Sequence, residues 1–440
     1  MDYIAQHSGG QVTWMVCDAN FGILPRDVEI AERLRGIMSA YGNPLSVVFW
    51  SPKNTSARNI RIAQLLGRNQ GGYVAIQSAD PVVLKNSGRG AISMRSLVAQ
   101  IEHFHSEKLP VATDLLIGLP SETSASHLQS IVEAFDMGFD QIQPYNIRML
   151  PGSVYETEDY RKQYGVWTKF RPIFGAYGVY NGVPVLEMEE SVRATSTMTE
   201  SELNAFKVHH WLLHFAWNSG VFKPLLQLGR RHGINPGLVI DQVANTTTPI
   251  LRTLFDDLLT ESMNEWFPTE QEFLGYYAEP DNFRKLEAGF VKLNMRYIAI
   301  VHSNSELMHA LGWDITRILR EQLAFGNDAA AVPIEEMNQF CGLLICQDLL
   351  SPPYSNAFVC SGTTAAVILN DEQLSSREMV SLEIFRSPED AAFCRFHLQR
   401  DGYTDLSIQN LTRFIEIGGL DLLKNRVSLV SGATTMADSY

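Results

Sequence analysis

The residues from Asp114 to Glu122 constrain the fold more than any other part of this sequence. They begin as an apolar run that suits a strand covered on both faces, as in a parallel sheet. Gly118 and the proline two residues later then predict a tight turn, in which a glycine lets the backbone approach a ligand closely. Glu122 falls at the start of the next helix, with Ser121 or Thr123 as its cap. A polar turn at the carboxyl end of a parallel strand is the usual place for the active site of an α/β barrel.

Four other apolar segments end in polar or small residues in the same way. Together, the predicted strands are Gln11–Cys17, Leu45–Trp50, Gly72–Ile76, Val111–Ile117 and Phe139–Pro144. Helical patterns separate them at Arg26–Met38, Ile60–Leu66, Ser93–His105 and His127–Phe135. Because a strand and its helix span about thirty residues, as in βα units, we expect parallel strands with their carboxyl ends on one rim. The predicted fold class is α/β: a partial TIM-like (βα) barrel with parallel strands, plus a mainly helical C-terminal region.

The chain is predicted to have four regions. Residues 1–150 form the partial barrel, 151–200 a connecting segment with a hairpin, 201–330 a helical region and 331–440 a small C-terminal α+β region. The Asn181–Gly182 pair predicts the hairpin turn. Further predictions are one helix over Glu200–Leu228, a linker over Asp328–Val332, a strand over Phe358–Leu369 and a helix over Pro388–Arg400. Val291–His302 is predicted to be a strand or a buried helix, and Tyr297–Val301 favours the strand.

Composition limits the classes of function. A hydrophobic content of 45% with 19% charged residues is ordinary for a soluble globular protein. No apolar run is long enough for a membrane span, and the first ten residues lack a signal-peptide pattern. Five cysteines without a disulfide framework indicate a reducing, cytoplasmic location. A net charge of −14 argues against nucleic-acid or membrane partners.

Several runs in the first 200 residues resemble a known family when they are taken in order. The runs are Asp18–Gly22, Arg26–Glu29, Gln77–Leu84, Gly118–Glu122, Arg171–Gly175 and Glu189–Thr195. They resemble the radical S-adenosylmethionine family, and most closely the branch whose members carry a cobalamin-binding domain ahead of the barrel. The resemblance implies S-adenosylmethionine, a 4Fe-4S cluster and cobalamin as cofactors. It also implies methyl transfer to, or rearrangement at, an unactivated carbon of a small or medium organic substrate.

The cysteines depart from the pattern of this family, which holds its cluster on a C-x-x-x-C-x-x-C loop. None of the five cysteines shows that spacing: Cys17, Cys341, Cys346, Cys360 and Cys394. The resemblance therefore implies that the cluster loop and the cobalamin domain precede Met1. We expect the chain to be the C-terminal portion of a longer protein, or the partner of a separate N-terminal subunit, and to be inactive without that part.

The resemblance also implies the site residues, with no metal ligands among them. The cofactor-binding candidates are Asp18, Asn20, Ser51, Gln77, Ser78, Gly118, Pro120, Glu122, Gln143 and Asn146. Tyr145 is the catalytic candidate, for hydrogen-atom or proton transfer. Gly118 and Pro120 would shape the adenosyl pocket, with Glu122 as a polar anchor. Gln77 and Ser78 would bind the ribose or the amino-acid moiety.

Each candidate also has a purely structural interpretation. The glycine–proline turn can simply join a strand to a helix, and Glu122 can favour a helix N-terminus through the helix dipole. Asp18 and Asn20 suit a turn or a cap, and Tyr145 suits a packed aromatic residue.

Two other classes of function stay open. One is an acid–base barrel enzyme with Asp18, Asp114 or Glu122 as general base, active in air and without iron. The other is a non-catalytic remnant or interaction subunit whose open sheet edge pairs with another chain. The histidines of residues 209–214 are better explained by the core edge of an amphipathic helix than by zinc. Cys341 and Cys346 are predicted to be buried structural thiols.

Overall fold

The computed structural model describes residues 1–7, 13–18, 20–44, 46–50, 57–66, 72–89, 94–289, 291–324, 333–400, 406–418 and 420–430. The chain divides into two compact units, one over Met1–Ile147 and one from Arg148 onward. Ser51 and the predicted linker at 328–332 lie outside the described residues.

The first unit alternates short strands with helices. Its strands are β1 (Thr13–Met15), β2 (Ser46–Val48), β3 (Gly72–Tyr73), β4 (Val111–Ile117) and β5 (Gln141–Asn146). Its helices are α1 (Asp2–His7), α2 (Arg26–Tyr41), α3 (Ala57–Leu66), α4 (Pro81–Asn86), α5 (Met94–Ser106) and α6 (Ser124–Met137). The predicted strand–helix alternation is therefore present, although most of these strands are shorter than the patterns indicated.

All strand pairs described in this unit are parallel, as predicted. β1 pairs with β2, and β3, β4 and β5 form a second sheet in that order. A bridge between Gln77 and Leu115 continues the β3–β4 pairing beyond β3. The carboxyl ends of β3, β4 and β5 consequently meet at one edge of the sheet. The described strands form two separate sheets and no closed barrel, so the barrel itself stays a prediction.

One face of β4 is buried. Val111, Thr113, Leu115 and Ile117 are inaccessible, while the alternate residues are only partly buried. Both α5 and α6 contact this strand. The expectation that both faces of β4 are covered is thus wrong for the described residues. The half-exposed face is the one on which polar side chains can meet a ligand.

The second unit is mainly helical. Its helices are α7 (Glu158–Tyr164), α8 (Glu200–Leu212), α9 (Lys223–Arg231), α10 (Pro236–Ala244), α11 (Pro249–Asn264), α12 (Glu270–Ala278), α13 (Pro280–Gly289), α14 (Leu293–His302), α15 (Ser305–Ala324), α16 (Ile334–Leu344), α17 (Gly362–Leu369), α18 (Pro388–Arg400) and α19 (Ile408–Gly418). Its strands are β6 (Trp167–Tyr180), β7 (Val183–Ala194), β8 (Tyr354–Ser361), β9 (Met379–Arg386) and β10 (Arg426–Leu429). Short 3-10 turns lie at Val154–Glu156, Glu372–Ser376 and Leu420–Leu423.

The predicted hairpin is present. β6 and β7 pair antiparallel, and the turn between them is Asn181–Gly182. Both residues have a left-handed φ, 51° and 80°, as a two-residue type I′ turn requires. The other sheet of this unit is antiparallel, in the order β10-β9-β8.

Three of the element predictions for this unit need correction. Residues 200–228 are not one helix, because α8 is followed by a π-helix over Leu213–Asn218 and the chain turns at Gly220, with φ 83°, before α9. The segment before His302, for which a strand was favoured over a buried helix, is helix α14, whose apolar side chains are buried on a helical spacing. The strand predicted over 358–369 ends at Ser361, whose hydroxyl caps α17.

The predicted helix at 388–400 is present as α18. Among the helices of the described residues, none combines the length and the apolar character that crossing a membrane requires.

Candidate active site at the β3–β5 strand ends

The half-exposed face of the β3–β5 sheet carries polar side chains from all three strands. Because side chains alternate along a strand, Tyr73, Asp114, Gln143 and Tyr145 lie on this face. Asp114 is directly opposite Gln143 in the register. The Tyr73 hydroxyl donates a hydrogen bond to the Asp114 carboxylate. The sheet thus brings a carboxylate, two phenols and an amide onto one surface.

The Tyr73–Asp114 pair has shifted proton affinities. Burial raises the pKa of the Asp114 carboxyl, and the hydrogen bond from Tyr73 partly opposes that rise. Burial also raises the pKa of Tyr73, and the nearby Asp114 carboxylate adds to the rise. Tyr73 therefore keeps its proton, and Asp114 is a stronger base than a carboxylate in water.

The three candidates on β5 do not share one face. Gln143 and Tyr145 lie on the face of Asp114, and Tyr145 is 50% exposed opposite Leu116. Asn146 is opposite Ile117, so the strand alternation places it on the other face. Gln143 and Tyr145 can therefore reach a ligand on the open face of the sheet, whereas Asn146 cannot do so from within the strand.

Gln77 has two unusual features. Its φ is 66°, in the left-handed region that residues other than glycine rarely adopt. Its backbone is held in this conformation by hydrogen bonds with Asp114 and Leu116 of β4, both 2.8 Å long. Its side-chain oxygen Oε1 is buried and has no hydrogen-bond partner among the described residues. A buried acceptor without a donor at a strand end, on a strained backbone, is the kind of group that a bound ligand satisfies.

The Gly118 turn is closed from inside by Glu122. The backbone N–H groups of Gly118 and Leu119 donate to Glu122 Oε2 at 2.8 and 3.2 Å. Glu122 Oε1 is 2.9 Å from Nδ1 of His127, and both side chains are buried. Gly118 has a φ of 93°, which this turn needs. Both carboxylate oxygens are therefore engaged within the turn. Glu122 would act on a ligand through the shape of the turn, and its role as a polar anchor stays a prediction.

The start of α6 fixes the far side of the turn. Thr123 is the N-cap, and a capping box links it with Ser126. Of the two predicted caps, Thr123 is therefore correct. Ser121 instead has a left-handed φ of 65° and accepts a hydrogen bond from Asn86 at 2.8 Å. Pro120 is buried within the turn.

Ser78 is buried and bonded to the protein. Its hydroxyl lies 3.3 Å from that of Ser130 in α6, and it accepts from the Asp80 backbone at 3.2 Å. Asp80 in turn caps α4. Ser78 therefore joins the end of β3 to two helices, and its proposed contact with the cosubstrate has no support from this geometry.

Asp18 and Asn20 show the geometry of a turn. The backbone N–H of Asn20 donates to Asp18 Oδ1 at 2.8 Å, and both residues are exposed. This is an Asx turn, as the structural interpretation of these residues proposed. No hydrogen bond joins either residue to the β3–β5 sheet in the described part of the chain.

The histidines and cysteines do not form a metal centre in the described ranges, where no group of three or more potential ligands lies together. His209 instead contacts Asp241 at 2.8 Å. Cys341 and Cys346 are buried, as expected, and burial raises the pKa of Cys341 to about 12.

Sequence reasoning missed two residues of this site. Tyr73 carried no motif, and its place opposite Ala112, on the same face as Asp114, follows only from the strand pairing. From the sequence, His127 was assigned only to the predicted helix over His127–Phe135. Its position five residues after Glu122 is the one signal that links it to the turn.

Parallel strands with polar groups gathered at their carboxyl ends are typical of α/β proteins, which commonly bind ligands at that edge. The sequence is similar to radical S-adenosylmethionine methyltransferases that depend on cobalamin. The chain is 30% identical over 175 residues to the cobalamin-dependent radical SAM methyltransferase TokK of Streptomyces tokunonensis. It is 30% identical over 211 residues to 2-(S-pantetheinyl)-carbapenam-3-carboxylate methyltransferase of Streptantibioticus cattleyicolor.

The similarity covers only part of each protein. It spans 38% of this chain and 25% of TokK, and 46% of this chain and 30% of the second relative. No protein-family model matches the chain. The homologues support a methyltransferase-like role at the level of the family, as the sequence resemblance implied.

Proposed function

We propose that the chain supplies the S-adenosylmethionine-binding portion of a cobalamin-type radical SAM methyltransferase. Its reaction would be methyl transfer to an unactivated carbon of a small or medium organic substrate. The observation that carries the proposal is the strand-end edge, where the unpartnered Gln77 acceptor lies beside the β4 strand that ends in the Gly118 turn. The similarity to two methyltransferases supports the choice of cofactor.

The residues of the first unit fit the cosubstrate at this edge. S-adenosylmethionine, when bound, supplies the transferable methyl group. Gln77 Oε1 offers an acceptor to an amine or a hydroxyl group, and the glycine at 118 allows an adenosyl group close to the backbone. Gln143 and Tyr145 face the space above the sheet and would contact the substrate. Tyr73 and Asp114 would hold a proton there.

The iron–sulfur cluster does not fit the described residues. No cluster of three metal-ligating side chains occurs in the described ranges, and the cysteines lack the family spacing. Anaerobic reconstitution of the chain with iron and sulfide should give no 4Fe-4S absorbance, and a stable cluster would contradict this view.

Binding of S-adenosylmethionine to the full chain tests the proposal. Equilibrium dialysis with the labelled cosubstrate should show saturable binding that Gln77→Gly weakens by roughly tenfold, the value of one lost hydrogen bond to a buried group. Glycine accepts the left-handed backbone freely, so the change removes only the side chain. Lys108→Gly is the matched control, because Lys108 is an exposed residue with a φ of 57°. The absence of binding by the folded chain, or equal binding by Gln77→Gly, would contradict the proposal.

The Tyr73–Asp114 pair favours a second candidate, an acid–base enzyme that needs no iron. Asp114 would be its general base, since burial raises the pKa of this carboxyl. Such an enzyme would turn over in air, and Asp114→Asn would abolish that activity. Turnover only under anaerobic conditions would exclude it.

A further inference from the structure

The outer end of the β6–β7 hairpin exposes an apolar face. Tyr180 is directly opposite Val183 in the register, and Val185 is directly opposite Gly178. Because side chains alternate along each strand, these four residues lie on one face of the hairpin, which we call the tip face. Tyr180, Val183 and Val185 are 64%, 60% and 41% exposed. The described residues of the chain thus leave most of this apolar surface in contact with water.

The two faces of the outer hairpin differ in how they are covered. On the opposite face Val179 is exposed next to the turn, while Tyr177 and Leu186 are partly buried. On the tip face, a Cβ atom at Gly178 would lie 3.4 Å from the ring of Tyr180. The phenol ring therefore lies beside the glycine, where no side chain projects. The result is a flat apolar surface of the kind that packs face to face in β-sandwiches.

The tip face lies in a segment without charge. No residue between Arg171 and Glu187 is charged, although the whole chain carries a net charge of −14. Natural proteins commonly place charged side chains on exposed strands to prevent association, and this hairpin has none along its outer half. A charged partner would gain no ion pair here. The surface that the tip face fits must therefore itself be apolar and uncharged.

We propose that the tip face is a self-association surface, on which the same face of a second copy of this chain packs. A two-fold axis presents the same patch of each copy to the other, so one apolar face is enough to build the contact. Tyr180 and the two valines of each copy would then lose their contact with water. Over the rest of the surface, two copies with the same net charge repel each other. The uncharged face is where they can approach closely.

The size of the tip face sets the strength of the contact. A stable interface has roughly 20–30 residues on each side, and the tip face has far fewer. The association is therefore weak and depends on protein concentration. This inference does not rest on the proposed function, because it uses residues of the hairpin only.

Sedimentation equilibrium of the full chain tests the proposal. From low micromolar to near-millimolar concentration, the average mass should rise from that of a monomer toward that of a dimer. Sodium chloride should strengthen the association, because salt screens the repulsion between two acidic copies. A mass that stays monomeric at every concentration would overturn the proposal. So would weakening by salt, which would show that ion pairs hold the copies together at another surface.

Matched variants locate the contact. Val183→Glu should raise the dimer dissociation constant by roughly tenfold or more, because it places a charge in the apolar contact. Val154→Glu is the control, since it adds the same charge at a residue of this unit that is 71% exposed, and it should have no effect. Tyr180→Ser weakens the contact without a charge, and circular dichroism reports whether each variant is folded. Unchanged association in both tip variants would overturn the proposal, as would an equal loss in Val154→Glu.

Discussion

At Glu122, one buried carboxylate holds the turn that follows β4. It accepts hydrogen bonds from two backbone N–H groups and faces His127, a residue of the next helix. The conformation of the glycine–proline turn therefore depends on two further residues, Glu122 and His127. A carboxylate buried in this way is worth more to the fold than its charge at a helix N-terminus would be.

Glu122→Ala should destabilise the first unit by about 2–4 kcal/mol, because two backbone donors and His127 lose their buried acceptor. Hydrogen exchange at the amides of Gly118 and Leu119 should accelerate, and the urea midpoint of the unit should fall. Glu102→Ala, at an exposed position of α5, should change the free energy of unfolding by less than about 0.5 kcal/mol. An effect of Glu122→Ala as small as that of the control would show that the turn forms without the carboxylate.

Lys207 should cost the protein stability, because desolvation lowers the pKa of its ammonium group. Lys207→Met should therefore raise the free energy of unfolding by roughly 1–3 kcal/mol. Urea denaturation at pH 7 measures this, with Lys162→Met as the control that stays within about 0.5 kcal/mol. If Lys207→Met destabilises the protein instead, the ammonium group has a partner or a packing role that outweighs its desolvation.

The free energy of unfolding should depend on pH above pH 8 because Lys207 titrates differently in the folded and unfolded states. Its pKa is lowered to about 8 in the folded state, against about 10.4 for an unfolded chain. Below pH 8 Lys207 is protonated in both the folded and the unfolded state, so its cost to the free energy of unfolding is constant. Between these values the unfolded state binds more protons, and stability rises with pH. The stability difference between the wild type and Lys207→Met should shrink from pH 8 to pH 10, while a constant difference would contradict the lowered pKa.

Residues whose partners are close in the chain were predictable, and those with distant partners were not. The Gly118 turn and the position of Gln77 followed from the ends of successive apolar strands. Tyr73 and Asp114 are 41 positions apart in the chain, and no local sequence pattern predicts the hydrogen bond between them. The same holds for Lys207 and Glu265, which interact only because α8 packs against α11.

At the scale of elements, the β6–β7 hairpin shows where a local sequence signal is strong. Its Asn181–Gly182 turn was predicted because few residues accept two consecutive left-handed conformations. For α14 a strand was favoured over a buried helix, and this preference was wrong, because a short apolar run with isoleucine and valine fits both. The π-helix after α8 was missed, because residues 213–218 contain no glycine or proline that would interrupt a helical pattern.

The hairpin turn should be sensitive to the loss of its glycine. Gly182→Ala should destabilise the second unit by about 1 kcal/mol, because alanine at a φ of 80° is strained. Gly275→Ala in α12 is the matched control: an added methyl group there meets no atom within 4 Å. It should stabilise the unit by about 0.4–1 kcal/mol. Thermal unfolding of the two variants should shift in opposite directions, and equal shifts would exclude backbone conformation as the cause.

At the scale of the whole molecule, the sequence predicted the α/β character of the first unit and the helical character of the second. It could not predict whether the parallel strands close into a barrel, since closure depends on pairing between strands far apart in the chain. The division at Ile147 and Arg148 separates two units, each with its own buried core. Compact units with separate cores are expected to unfold as separate cooperative transitions.

Calorimetry or urea unfolding of the full chain should accordingly resolve two transitions, one for each unit. The substitutions above assign them: Glu122→Ala should lower only one midpoint, and Lys207→Met should raise only the other, because each side chain contacts its own unit. The double variant should show both shifts with additive free energies, within about 0.5 kcal/mol. A single transition that both substitutions move would mean that the two cores fold as one cooperative structure.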